Sequence, residues 1–186
     1  ITPTGFTQGV GFGPLNANST GVYIAIRRPN KPPTDATEVF DTNLVTTGNP
    51  TTTFTSGFVT DAIIYPFRTL GISPRVASRL TGNPYLQTAS SSVEIATTHN
   101  WDSMTGLSIT SSAGLSLVDY MFRRAPGVFD VVCYTGNSSA RNINHNLGVT
   151  PELIIIKSRS LSESWIVNST HFTTQTSQYV NLNVNS

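Results

Sequence analysis

Apolar residues in this chain alternate with polar ones and do not recur with a helical period. No stretch carries the i, i+3, i+4, i+7 pattern with caps at its ends that an amphipathic helix requires. The two nearest candidates are "VTDAIIYPFRT", which Pro66 interrupts, and "SPRVASRL", long enough for roughly two turns. Strand patterns are frequent. Residues 21–28 set Val22, Ile24 and Ile26 against Tyr23, Ala25 and Arg27, and "SSVEIATT", "GLSITSS", "LSLVDYMFRR" and "VFDVVCYTG" follow in the same style. Gly-Asn-Pro at Gly48 and Gly82 and Ala-Pro-Gly at Ala125 punctuate them. Short strands with turn chemistry between them predict an all-β antiparallel sandwich or barrel with long loops and little helix. "NKPPTDATEV" and "LVTTGNPTTTFTSG" read as loops, since Pro32-Pro33 cannot sit within a central strand.

The length, 186 residues, suits one domain and is enough to bury roughly 70% of the unfolded surface. Residues 1–20 read as a loop or linker and residues 21–186 as a single sandwich domain. The alternating "YVNLNVNS" at the end looks like a strand cut short, so a fragment of a longer protein is expected. Lys and Arg number 11 against 10 Asp and Glu, a net charge of +1, which provides no field of one sign for nucleic acid. Charged residues are only 11%, and Ser, Thr and Asn take their place. No apolar run is long enough to span a membrane. Cys133 is the only cysteine, so neither an intrachain disulfide nor a cysteine zinc site can form; its alternating surroundings predict a small buried residue.

The stretch "ARNINHNLGVTPELIIIKSRS" decides whether a histidine centre exists. Ile143, His145 and Leu147 fall on one face of a strand and Asn142, Asn144 and Asn146 on the other. Gly148 suits a backbone angle that other residues resist, and Pro151 biases Thr150 to an extended form. "ELIIIK" then runs with almost no alternation, as a strand buried on both faces does. Residues 141–147 and 152–156 are therefore expected to pair as a hairpin. His145 would be at least half buried, locking the turn through hydrogen bonds to backbone groups. A catalytic role would need a nucleophile, a carboxylate or further ligands; Asp130 and Glu152 are near in sequence, while His99 and His171 stand in polar surroundings.

Nucleophile elbows, H-E-x-x-H, phosphate loops and calcium-loop motifs are absent, so no metal and no cofactor is expected. Asp35, Glu38 and Asp41 cluster beside a Pro-rich loop, a spacing that fits solvated loop charges as well as a paired-acid hydrolase. Trp165 follows the apolar strand and reads as core. Trp101 has two readings. Beside Asn100 and Asp102 it forms a sugar-binding candidate, the ring stacking and the polar groups taking hydroxyls; alternatively it plugs the end of the sandwich. "YIAIRRPNKPP" and "YMFRRAPG" both end a strand in paired arginines, Arg27-Arg28 and Arg123-Arg124. If those ends share a rim, the guanidiniums reach carboxylates or a neighbouring subunit.

The segment "GVFDVVCYTGNSSARNINHNLGVTPELIIIKSRSLSESWIV" resembles one recurring in tail and other virion structural proteins of bacteriophages. Its elements are F-D-V-V-x-Y-x-G (residues 129–136), H-x-L-G-V-x-P-E (145–152), K-x-R (157–159) and a tryptophan strand at Trp165. "YIAIRRPNKPPTDATEVF", "RVASRLTG" and "YMFRRAPG" extend the likeness to roughly residues 22–169. The resemblance implies a jelly-roll or concanavalin/laminin-G-like module of a tail fibre, spike or capsid fibre. It also implies a structural role for the His-Leu-Gly element, and it carries no catalytic residues across. The function expected is therefore a non-enzymatic virion protein of host attachment, located in the virion after assembly in the host cytoplasm. The partners expected are further copies of the chain (a trimer, by analogy with phage fibres), other virion proteins and host cell-surface glycan. A carbohydrate-binding module is the alternative, and a polysaccharide depolymerase the third reading.

Overall fold

The computed structural model describes residues 32–47, 51–68, 71–110, 114–174 and 178–184. The chain forms β1 (Phe40–Thr46), β2 (Thr51–Thr55), β3 (Ala62–Tyr65), β4 (Arg75–Ser78), β5 (Leu86–Gln87), β6 (His99–Asn100), β7 (Gly106–Thr110), β8 (Ser116–Phe122), β9 (Leu153–Ile156), β10 (Ile166–Ser169) and β11 (Val180–Asn181). Among the described residues the only helical turn is the 3₁₀ segment Ala36–Glu38, capped by Asp35. Three antiparallel sheets result, with strand orders β1-β8-β3-β4-β5, β2-β7-β6 and β11-β10-β9.

The first two sheets make the sandwich. On β2 the sequence Thr-Thr-Thr-Phe-Thr turns Thr52 and Phe54 inward and its other threonines outward. On β8 Leu117, Asp119 and Met121 point inward. The core joins Phe54, Leu107 and Ile109 of the β2-β7-β6 sheet to Ile63, Tyr65, Ala77, Leu117 and Met121 of the larger sheet. Each large apolar side chain fully buried there contributes about 1.5–3 kcal/mol. Gly106 is required where it stands: its φ is +150°, and a Cβ would lie 1.9 Å from the Phe54 carbonyl oxygen.

The reverse face of the five-stranded sheet bears Ala62, Ile64, Val76, Ser78 and Phe122, and the β11-β10-β9 sheet lies against it across a gap. Three tethers hold this layer. Trp165, 5% exposed, donates its ring N–H to the Gln87 carbonyl at 2.8 Å and approaches that of Ser90 at 3.2 Å. Phe129 stacks on Phe122 with ring centres 4.8 Å apart. Arg159 forks onto Glu94 at 2.6 and 3.2 Å.

Several expectations are corrected. "VTDAIIYPFRT" and "SPRVASRL" hold β3 and β4: β-branched Ile63, Ile64 and Val76 gain more from cross-strand packing than a proline-broken helix offers. The supposed loop "LVTTGNPTTTFTSG" holds the end of β1 and all of β2, where threonine, valine and phenylalanine outweigh the neighbouring turn residues, whereas the described part of "NKPPTDATEV" is loop apart from the Ala36–Glu38 turn. β1 pairs with β8 along all seven of its residues. "VFDVVCYTG" is irregular beyond the Ala125–Phe129 bridge, and Cys133 is exposed. Alternation does not make a strand without a ladder partner, and none is supplied there among the described residues. β9 is an edge strand, and Leu153, Ile154, Ile155 and Ile156 are between 40% and 58% exposed instead of buried. Residues 1–20 and the strand expected at residues 21–28, with Arg27 and Arg28, lie outside the described residues.

Candidate functional site

Trp101 follows β6 directly and is 7% exposed, inside the core cluster. Its ring N–H donates to the Gly82 carbonyl at 2.9 Å. The Arg79 guanidinium lies 5.7 Å from the ring centre and donates to the Trp101 carbonyl at 2.5 Å, while the His99 ring lies 5.8 Å away. No ring face is left for a sugar to stack on. Asn100 and Asp102 are exposed, and the Asn100 side-chain oxygen accepts the Asp102 N–H at 2.9 Å, closing a local turn. The three residues are neighbours, but the tryptophan plugs the sandwich and does not face outward with the other two.

His99 is likewise buried, among aromatic rings and not in the polar surroundings its sequence neighbours led one to expect. Its Nδ1 lies 2.5 Å from the Asn83 carbonyl oxygen and its Nε2 lies 3.0 Å from the Tyr65 hydroxyl. Burial lowers its pKa from the ordinary value, against the Asn83 hydrogen bond, and Arg75 adds to the lowering. Burial pushes Tyr65 up to about 12, with Arg75 opposing. The Arg75 guanidinium sits 4.3 Å from the Tyr85 ring centre and 4.9 Å from that of Phe67. The sequence signal missed was the period of two in "HNW", which turns His99 and Trp101 to the same side.

His145 is exposed, and residues 141–147 form no hairpin with β9, which among the described residues pairs only with β10. The turn reading survives in part: the Leu147 N–H donates to His145 Nδ1 at 3.3 Å, and Gly148 adopts φ +74°. The hairpin fails because Asp130 takes hold of this segment instead, accepting the Asn146 N–H at 2.8 Å. His145 lines a groove of about 550 Å³ with Asp61, Arg124, Asp130 and Asn146. Two carboxylates and a histidine in one groove have the makings of acid–base chemistry, but both acids are committed elsewhere. Asp130 accepts from Arg124 Nε at 2.5 Å and from the Val131 N–H at 2.9 Å. Asp61 accepts the Arg124 N–H at 2.8 Å and pairs with Arg79 at 3.6 Å. Burial raises the pKa of Asp130, but the hydrogen bonds from Asn146, Arg124 and Val131 outweigh it and hold the group below its ordinary value. A carboxylate held ionised in this way serves poorly as a general acid; the arrangement ties the 130–146 segment to the sandwich.

Asp35 and Glu38 have local work too. Asp35 accepts from Thr37 N–H and hydroxyl at 2.8 and 2.6 Å, and Glu38 accepts from the Thr34 hydroxyl at 2.8 Å. Among the described residues no group of three or more His, Cys, Asp and Glu side chains is placed to hold a metal.

A cleft of about 640 Å³ lies between the reverse face of the five-stranded sheet and the β11-β10-β9 layer. Ile64, Val76 and Phe122 form one wall; Leu153, Ile155 and Leu182 form the other. The outer side of that layer presents Ile154, Ile156 and Ile166, each about two-fifths exposed, so the layer is apolar on both sides and closed on neither. Among the described residues every buried apolar side chain except Trp165 precedes Gly127, whereas most of the large exposed ones follow it.

A family model described as a domain of unknown function (DUF7483) matches residues 100–186. The match takes in part of each sandwich sheet and the whole β11-β10-β9 layer. No curated protein and no solved structure matches the chain.

Proposed function

We propose that this chain is a non-enzymatic structural module of a bacteriophage virion, part of a tail fibre, spike or capsid fibre that serves host attachment, and that it works as a homo-oligomer, with a trimer favoured. The observation that carries the reading is β9. Directly after the H-x-L-G-V-x-P-E element that links the chain to phage virion proteins, an edge strand sets four branched apolar side chains half in water. A working monomer rarely keeps such a surface open; an assembly module uses it. The acids of the His145 groove are tied up in loop contacts, which supports a reading without hydrolysis. The burial of Trp101 leaves direct glycan recognition without its stacking platform.

Antibody against residues 140–160, applied to disrupted and intact phage particles, tests the reading. Labelling at a repeated position on the tail or capsid, together with a multimeric mass by light scattering, is the expected result. Failure to find the chain in purified particles, or release of reducing ends from polysaccharide that a single Asp or Glu substitution abolishes, contradicts it.

A further inference from the structure

β1 is an edge of the five-stranded sheet, and among the described residues no strand pairs with its outer side. The Thr47 N–H donates to the Leu115 carbonyl, the Arg123 N–H to that of Val39, and the Asn43 N–H to Asp119 on β8, so the odd-numbered residues of β1 turn their backbone groups to β8. Those of Phe40, Thr42, Leu44 and Thr46 turn to the open side. There, among the described residues, only the Thr42 N–H finds an acceptor, Asp41 Oδ1 at 2.9 Å. The side chains are open too. Leu44 is 64% exposed, and the Phe40 ring stacks beside Tyr120 with both about two-fifths in water. A seven-residue edge carrying such side chains is a template for another strand. The opposite edge is not: β5 has two residues, and Trp165 takes the Gln87 carbonyl.

We propose that residues 21–28 of this same chain dock on the β1 edge as an antiparallel strand. Their alternating "GVYIAIRR" is eight residues long, a match for the seven of β1. Consecutive strands are neighbours in most sheets, and the eleven residues between Arg28 and Phe40 suffice for the return, with Pro29, Pro32 and Pro33 stopping the strand. Charge sets the register. Asp35, Glu38 and Asp41 gather at the start of β1, and among the described residues none of them pairs with a cation. Burial pushes the Asp119 carboxyl beside Asp41 up to about 6, against the Asn43 hydrogen bonds, and the Asp41 charge adds to the rise. Arg27-Arg28 is the pair that an antiparallel strand brings to this end. With Arg27 opposite Asp41, Ala25 falls opposite Asn43 and Tyr23 opposite Val45. On the other face Ile24 falls opposite Leu44, Ile26 opposite Thr42 and Arg28 opposite Phe40, which continues the apolar row of Phe40 and Tyr120. A slip of one residue turns Arg27 onto that apolar row and Ile24 away from Leu44.

Ile24→Cys/Leu44→Cys in a Cys133→Ser background, oxidised with copper phenanthroline in the full chain at low micromolar concentration, tests the docking. Opposite residues of a ladder have Cα atoms about 5.5 Å apart, within reach of a disulfide. The expected result is a disulfide within one chain, seen as an unreducing-gel monomer without free thiol. It forms at least about tenfold faster than in Ile24→Cys/Leu153→Cys, which reads docking on the β9 edge instead. Hydrogen exchange gives a second reading without cysteines. The Leu44 and Thr46 amides of the parent exchange at least about tenfold more slowly than in Ile24→Asp/Ile26→Asp, while β3 and β8 keep their protection in both. A disulfide only between chains, an equal rate with Leu153→Cys, or Leu44 and Thr46 amides that exchange alike in parent and variant overturns the proposal.

Discussion

The five-stranded sheet has two apolar faces, and only one of them is closed. Ile63, Tyr65, Ala77, Leu117 and Met121 on one side meet Phe54, Leu107 and Ile109 in a packed core. Ile64, Val76 and Phe122 on the other side look across a cleft of about 640 Å³ toward Leu153, Ile155 and Leu182. The strands opposite the closed face alternate, so each presents an apolar side inward and a polar side outward. The strand opposite the open face does not alternate: Leu153–Ile156 is apolar on both sides, and the Asn- and Ser-rich residues 136–146 leading to it carry no ladder. Equal hydrophobicity therefore yields burial on one side and tethering on the other, through Trp165, Phe129 and the Arg159–Glu94 pair.

The two faces should respond differently to truncation. Leu117→Ala or Met121→Ala should cost about 3–5 kcal/mol in denaturant unfolding, because the cavity left cannot collapse. Gly106→Ala belongs to the same class, since its new Cβ meets a backbone carbonyl. Ile155→Ala and Leu153→Ala, across the open cleft, should cost about 1 kcal/mol or less, in proportion to the little area they bury. Equal costs on the two faces break the comparison.

Trp165→Ala separates the layers more sharply. It removes the one fully inserted side chain of the C-terminal layer and two carbonyl contacts, for roughly 2–4 kcal/mol. Hydrogen exchange should then lose protection at β9 and β10 and keep it at β3 and β8; simultaneous loss in both would mean that the layers unfold as one unit.

Acid bears on the closed face through His99. Its folded pKa lies below the ordinary 6.5, so the unfolded chain binds the extra proton first, and stability falls as pH drops below about 6.5. Asp119 acts with the opposite sign: its raised pKa favours the folded state as pH falls through about 6. Denaturant midpoints between pH 5 and 7.5 should therefore decline less toward acid in His99→Gln than in the parent. An unchanged profile removes His99 from the account.

The smallest expected effect is Glu94→Gln. The Arg159–Glu94 pair is about a third exposed on the Glu94 side and more on the Arg159 side, so water screens it, and the loss should be about 0.2–1 kcal/mol. A larger cost would mean that the pair clamps the open layer.

The sandwich was legible because β7 and β8 carry their alternation openly in "LSI" and "LVDYM", and because proline and glycine exclude long helices. The segment "LVTTGNPTTTFTSG" misled because turn residues and β-branched residues are interleaved, and only the distant partners, β8 for the end of β1 and β7 for β2, decide between them. The Trp101 candidate failed for a related reason. Neighbours in sequence alternate across a strand, so Asn100 faces water while Trp101 and His99 turn inward. His145 depended on a tertiary contact, Asp130 taking the Asn146 N–H, that no local pattern announces.

The central claim is that the open layer is an assembly surface. Sedimentation equilibrium of the parent chain and of Ile154→Asp/Ile156→Asp, over about 1–100 μM, tests it most directly. These two side chains sit on the outer side of β9 and touch no core cluster. The account predicts a self-associating parent, a monomeric variant, and thermal melting of the monomer changed by no more than a few degrees. A parent that stays monomeric across the whole range, or a variant that associates as strongly as the parent, contradicts it.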